Sequence, residues 1–503
     1  MSQSGAEYAA EVQRVASARA KGRSLKPLRQ LLPFLRPYRG TMAMAAIALI
    51  VSSSASLLIP PALKGIVDHG FDKHNVDLIG RYFMALNGVA ALLGISSAVR
   101  FYFVTWLGER VIADVRKAVF DHVLAMTPAF FEVTRTGEVL SRLTADTTLI
   151  QTVIGSSASV AMRNLVMLTG GSILLIVTSL KLSGLVLLAV LLVMVPLILF
   201  GRWVRTLSRK SQDRIADTSA HASETLNAVQ TVQAFTHENF ERAQFGRAVE
   251  SSFEVAVLRT RARAAMTAVV IFGIFGCMVG VLWAGAQDVV AGRMTGGLLL
   301  QFVAYGVIVA SGVGALSETW GDLQRAAGAS ERLTELLHAE PDVKAPPRPR
   351  ALPQPSRGAI SFRNVTFRYP SRPDFAALDN FSLDVAPGEA IALVGPSGAG
   401  KSTVFQLLLR FYAPQQGQIL FDGVDTAQVD PQEVRRHISI VAQDPVIFSG
   451  TIANNIRYGR ADASDEDVRR AAEAAAAAEF IDELPNGYDT QLGERGITLS
   501  GGQ

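Results

Sequence analysis

Six uncharged apolar runs fill most of the chain before residue 320, and they limit what it can fold into more than anything else. They are Thr41–Leu63, Tyr82–Val99, Asn164–Leu180, Leu182–Gly201, Ala264–Gln287 and Met294–Ser317. A bilayer core needs about 20 apolar residues per helix, and each run comes close to that or exceeds it. One such run could be a buried helix of a soluble protein, but six in series read as membrane spans. The composition agrees, with 49% hydrophobic and 18% charged residues in 503. A formal net charge of +4 is too small to point to nucleic acid. The single cysteine, Cys277, lies in an apolar stretch and reads as a small packed residue rather than a redox group. Met1 to Lys21 is polar and Ala-rich and lacks the apolar core of a secretory signal.

The connections orient the spans. Little more than Lys181 separates spans three and four, which places a tight turn at Ser183-Gly184. Spans five and six are joined by a short segment carrying Asp288 and Arg293. The first connection, Lys64 to Arg81, is short and balanced in charge. The second and fourth are long, and the fourth carries Arg202, Arg205, Arg209, Lys210 and Arg214 at its start. Basic residues also gather before span one, at Lys21, Arg23, Lys26, Arg29, Arg36 and Arg39. Positive charge collects on the cytoplasmic side, so both termini and both long connections are expected inside. Arg110–Met126 and Ser208–Phe235 lack Pro and Gly and keep three- and four-residue apolar steps. Spans two to five should therefore extend into the cytoplasm as helices. Ser24 to Arg39 reads as an interfacial elbow helix with Leu25, Leu28, Leu32 and Leu35 on one side.

After span six the pattern changes. Pro346, Pro347, Pro349 and Pro353 mark an extended linker, and β-type runs follow, such as Ala359–Phe362. Ala390–Val394 reads as a buried strand and Thr403–Phe411 as a helix. Between them lies Gly395-Pro396-Ser397-Gly398-Ala399-Gly400-Lys401-Ser402-Thr403, a phosphate-binding loop of the form G-x-x-x-x-G-K-[ST]. Glycines let backbone amides approach phosphates, and the helix N-terminus adds positive dipole. Lys401 should reach the β- and γ-phosphates of ATP, and the Ser402 hydroxyl should ligate Mg²⁺.

Nearly the whole chain resembles the half-transporters of the B-type ATP-binding cassette (ABC) exporters, which include multidrug and lipid A exporters. Tyr369, in Val365–Pro370, matches the aromatic residue that stacks on adenine. Gln443, in Val441–Pro445, matches the glutamine that meets Mg²⁺ and the attacking water. Phe448–Ile452 with Asn455-Ile456, and Gly493-Glu494-Arg495-Gly496, continue the pattern, and Leu499-Ser500-Gly501-Gly502-Gln503 matches the signature peptide. Phe130–Leu143 and Val232–Glu238 resemble the two intracellular loops, where the family carries short transverse helices.

The resemblance implies a membrane α-helical domain of six transmembrane helices, of the type IV ABC exporter kind, fused to an incomplete α/β P-loop nucleotide-binding domain. The expected divisions are 1–40 (cytoplasmic N-terminus and elbow), 41–325 (transmembrane domain), 326–357 (linker) and 358–503 (nucleotide-binding domain ending after the signature). It also implies an ATP-hydrolysing translocase of the cytoplasmic membrane that exports a lipid or a hydrophobic, amphipathic compound. The partner would be a second copy of the chain, or a related half-transporter. ATP and Mg²⁺ would be held by Tyr369, Gly395, Ser397, Gly398, Gly400, Lys401, Ser402, Thr403 and Gln443, with Ser500, Gly501 and Gly502 closing over the nucleotide of the other copy. Lys401 and Gln443 would serve catalysis. The family's Mg²⁺-binding Asp, catalytic Glu and switch His follow the signature and are not in this sequence. A general base is thus absent, and neighbouring strands are expected to stay unpaired. The alternatives are a peptide exporter, or a non-hydrolysing truncated or regulatory subunit. Arg100 and Arg163 either hold a lipid phosphate or snorkel to the interface, and Gln301 and Tyr305 either line a cavity or pack between helices.

Overall fold

The computed structural model describes residues 25–69, 76–443 and 445–493. Glu494, Arg495, Gly496, Ser500, Gly501 and Gly502 lie outside them. The chain forms two compact units, one holding the long helices up to Pro341 apart from Thr127–Ala129, and one from Asp342 onward that includes those three residues.

Six helices in the first unit are long and apolar enough to cross a membrane. They are α1 (Arg39–His69), α2 (Val76–Leu124), α3 (Ala158–Thr178), α4 (Leu180–Asn227), α5 (Glu238–Val290) and α6 (Gly296–His338). Helices α2, α4 and α5 run far beyond their apolar runs. Helix α3 is preceded by a helical stretch from Thr136 that contains two π-turns, Arg142–Asp146 and Val153–Ser157. Short helices Pro128–Val133 and Val229–Ala234 stand at the two loop ends. Helix α6 also extends past its apolar run, because its last turns carry a narrow apolar stripe: Ala326, Ala329, Leu333 and Leu336 are all buried.

Two local expectations need correction. The break between α3 and α4 falls at Ser179, not at Ser183-Gly184. Ser179 is extended and its hydroxyl accepts from the Leu182 amide at 3.3 Å, so an N-cap sets the turn and Ser183-Gly184 start the helix. The elbow is partly 3₁₀, at Lys26–Leu31 and Arg36–Tyr38. With three residues per turn, the inward stripe is Leu28, Leu31 and Phe34, joined by Leu35, while Leu32 is 47% exposed. Tyr38 anchors the elbow on α2: its hydroxyl donates to Asp114 at 2.6 Å, and its ring meets Trp106 edge-on at 5.8 Å.

The elbow packs into a core made by Val111, Val115, Val119, Ile150 and Leu333 from α2, the stretch before α3, and α6. Charged ties surround it. Arg332 of α6 grips Asp146 through two nitrogens at 2.8 and 2.5 Å, and Ser157 donates to Asp322 at 2.9 Å. At Gly108, α2 passes so close to Gly155 that an added Cβ would lie 2.6 Å from the Gly155 Cα, a small-residue contact of the kind that brings membrane helices together. At the opposite ends of the helices, buried Asp288 accepts from Lys181 at 2.8 Å and Arg293 at 2.5 Å. Asp68 at the end of α1 accepts from the Thr295 hydroxyl and the Gly297 amide at the start of α6.

In the second unit, β1 (Ile360–Arg368) pairs antiparallel with β2 (Ala376–Val385) and with β3 (Gln416–Phe421), which pairs with β4 (Val424–Asp425). Phe362, Val365 and Phe367 face inward against Leu378, Leu407 and Ile419. Asp422, at the β3–β4 turn, accepts from the Ser356 hydroxyl and the Ala359 amide at 2.8 Å and from the Arg357 amide at 2.9 Å, fixing the chain's entry into β1. Burial pushes its carboxyl up, but these donors and the Gly358 amide outweigh burial and hold it below the ordinary carboxylate range. A helical lobe follows, with Ile452, Ala472, Ile481 and Leu492 as its core.

Candidate nucleotide-binding site

The phosphate-binding loop leads into α7 (Lys401–Leu408). Gly395, Gly398 and Gly400 all have positive φ, +158°, +84° and +86°. Gly400 is the tightest: an added Cβ would sit 2.4 Å from the Ala377 carbonyl oxygen of β2. Only glycine lets the loop lie this close to the sheet and still turn into the helix. The Lys401 ammonium donates to the carbonyls of Gly395 and Pro396, both at 2.8 Å, and so reaches back across the loop it closes. Ser397, Gly398 and Ser402 are exposed. Amides of a helix's first turn have no intrahelical acceptor. A glycine cradle that a Cβ would fill, with a lysine across it, fits the triphosphate of ATP.

The helix ends earlier than Phe411. Arg410 takes φ +56°, its amide donates to the Leu407 carbonyl at 3.0 Å, and the Phe411 amide to Gln406 at 3.0 Å. That pattern is a Schellman end. The expected strand before the loop is absent. Residues 390–394 form no strand, Ile391 is exposed and Val394 is 88% exposed. A buried strand needs a hydrogen-bonded neighbour, and the described residues provide none for this run. The β-type run 438–442 is in the same condition, with Val441 99% exposed.

The predicted site residues are thus brought together in part. Tyr369 lies beside α7, and its hydroxyl is 3.0 Å from Thr403 Oγ1. Thr403 itself is buried, at 4% exposure, so its hydroxyl is engaged by the protein rather than open to the loop. Gln443 is exposed in irregular backbone. Ser500, Gly501 and Gly502 fall outside the described residues. Sequence reasoning missed the aromatic base beneath Tyr369. Phe367 and Tyr412 meet its ring at 4.9 and 5.3 Å. The two-residue step from Phe367, in β1, to Tyr369, directly after it, was the available signal. Among the described residues no cluster of His, Cys, Asp and Glu could hold a metal; a nucleotide's magnesium would have hydroxyl and amide oxygens, such as those of Ser402 and Gln443.

Six spanning helices and a phosphate-binding loop on one chain define a multi-pass membrane protein with its own nucleotide-binding domain. The model of the ABC transporter transmembrane region matches residues 42–311, and that of the ABC transporter nucleotide-binding domain matches residues 378–503. The chain belongs to the ABC transporter family, with the half-transporter organisation of its B-type exporters. It is similar to an export ATP-binding/permease homologue of Rickettsia conorii, 32% identical across 95% of this chain and 83% of that protein. It is 35% identical to the mitochondrial ATP-binding cassette sub-family B member 10 of Mus musculus, across 94% of this chain and 67% of that one. The ATP-dependent permease MDL1, mitochondrial, of Schizosaccharomyces pombe is 35% identical across 90% and 63%.

Proposed function

We propose that the chain is an ATP-driven exporter of a lipid or an amphipathic, hydrophobic compound, working as a homodimer in the cytoplasmic membrane with both termini and the nucleotide-binding domain inside. The observation that carries the reading is the Lys401 loop, a phosphate cradle on the same chain as six membrane spans. The printed names of the relatives, permeases and export proteins, support the direction of transport.

The substrate class rests on Arg100 and Arg163. Arg100 donates to the Ser159 hydroxyl at 2.8 Å, and the Nε of both arginines is buried with no hydrogen-bond partner. Two cations among apolar helices suit an anionic head group attached to an apolar body. Dimerisation is supported by α4 and α5. They pack along each other beyond the apolar runs, yet leave Ile215, Leu226, Phe240, Val249 and Phe253 exposed. An apolar face of that length fits a second copy.

Tyr369, Gly395, Ser397, Gly398, Gly400, Lys401, Ser402 and Thr403 make up one half of each ATP site in this reading, with Gln443 serving magnesium and water. Ser500, Gly501 and Gly502 of the other copy complete it. The domain divisions 41–325, 326–357 and 358–503 go with it. The experiment is ATPase activity, in liposomes, of the chain joined to the family's segment beyond the signature, which carries the catalytic Glu. Stimulation by an anionic lipid or amphipathic drug, lost in Arg100→Ala/Arg163→Ala, supports the reading; indifference to both classes of compound overturns the substrate assignment.

A further inference from the structure

We infer that Tyr369 is a positioning residue whose hydroxyl, tethered to Thr403, sets nucleotide affinity independently of its ring. The inference rests on the reading of Gly395–Thr403 as the ATP loop. Tyr369 directly follows β1, and a three-ring cluster fixes its ring. Phe367 meets it edge-on at 4.9 Å, Tyr412 edge-on at 5.3 Å, and these two rings are 5.4 Å from each other. From this base the hydroxyl reaches Thr403 Oγ1 at 3.0 Å.

Thr403 lies in the first turn of α7, directly after Ser402 and two residues after Lys401. A threonine in a helix commonly turns its hydroxyl back to its own backbone; this one bonds to Tyr369, just after β1. The first turn of α7 is therefore tied to the segment just after β1 by the tether, just as Gly400 seats it against the Ala377 carbonyl of β2. A turn held in place before binding costs less to order when phosphates arrive. The hydroxyl thus acts on the nucleotide through Thr403, and Tyr369 is not a catalytic residue.

The test is titration of the full chain in nanodiscs with the fluorescent nucleotide MANT-ATP, with each variant's melting curve recorded. Tyr369→Phe keeps the ring and removes the tether. Thr403→Val removes its other end. Each should weaken binding about threefold to tenfold, the worth of one neutral hydrogen bond. The double variant should bind no more weakly than the weaker of the two single ones. Unchanged affinity in Tyr369→Phe, or additive losses in the double variant, would overturn the tether. Lys401→Ala separates the two readings. If it abolishes binding while Tyr369→Phe changes nothing, only the tether fails. If Lys401→Ala binds MANT-ATP like the parent, the loop assignment fails and the tether with it.

Discussion

Tyr305 of α6 donates its hydroxyl to the carbonyl of Leu57 in α1 at 3.0 Å, and that carbonyl is the one whose helical amide would come from Pro61. Proline has no N–H, so the oxygen is left over by the helix. Tyr305 is fully buried, and its ring packs with Phe302, Leu175 and Leu182. It is a packing residue that satisfies the carbonyl Pro61 leaves over in α1, which decides between the two roles open to it from sequence.

Tyr305→Phe should therefore leave the Leu57 oxygen unsatisfied and cost about 1–2 kcal/mol. Adding Pro61→Ala should recover part of the loss, because residue 61 then supplies the missing amide. Melting of the detergent-solubilised protein reads this directly. The expected order is parent above the double variant, and the double variant above Tyr305→Phe; equal melting of Tyr305→Phe and parent would refute the role given to this bond.

The contact between Gly108 and Gly155 is unequal. A Cβ on Gly108 meets the Gly155 Cα at 2.6 Å, whereas a Cβ on Gly155 meets the Gly108 Cα at an ordinary 3.6 Å. Gly108→Ala must push two backbones apart, and overpacking of this kind costs about 1–3 kcal/mol. Gly155→Ala should be nearly neutral. The melting temperatures of the two variants should differ in that order; a larger loss in Gly155→Ala would contradict the helix placement.

Helix Asp465–Ala474 starts with a capping box. Ser464 Oγ accepts from the Asp467 amide and Asp467 accepts from the Ser464 amide, both at 3.1 Å, while Arg470 and Arg460 pair with the same carboxylate. The Ser464 backbone and side chain, with Arg470, hold the Asp467 carboxyl well below the usual range. A depressed folded-state pKa gives stability that is present above the ordinary Asp value of about 3.9 and is lost as pH falls toward the folded value. Hydrogen-exchange protection of this helix should thus drop in Asp467→Asn at pH 7, and the gap to the parent should narrow at pH 3. A gap that stays constant would show that the carboxylate's charge has no part in the cap.

Much of this fold was legible, for identifiable reasons. Charge-free runs such as Ala264–Gln287 cannot be anything but spans when six occur together, and the loop Gly395–Thr403 states its own geometry through three glycines and a lysine. What stayed hidden depended on tertiary neighbours. The inward stripe of the elbow follows 3₁₀ spacing through Leu28 and Leu31, and nothing in the run distinguishes that from 3.6 spacing. The Tyr305–Leu57 bond needs α1 and α6 side by side, 248 positions apart in sequence. Residues 390–394 look like a strand because Ile391 and Val394 favour one, but propensity supplies no ladder partner.

The central claim, that nucleotide held at the Lys401 loop drives export through the six-helix unit, is tested most directly by transport into inverted membrane vesicles. With a fluorescent anionic lipid analogue outside, ATP should produce time-dependent uptake by the protein carrying the family's segment beyond the signature, and Lys401→Ala in that protein, inserted and folded to the same level, should produce none. Uptake that proceeds equally without ATP, or equally in Lys401→Ala, would contradict the account.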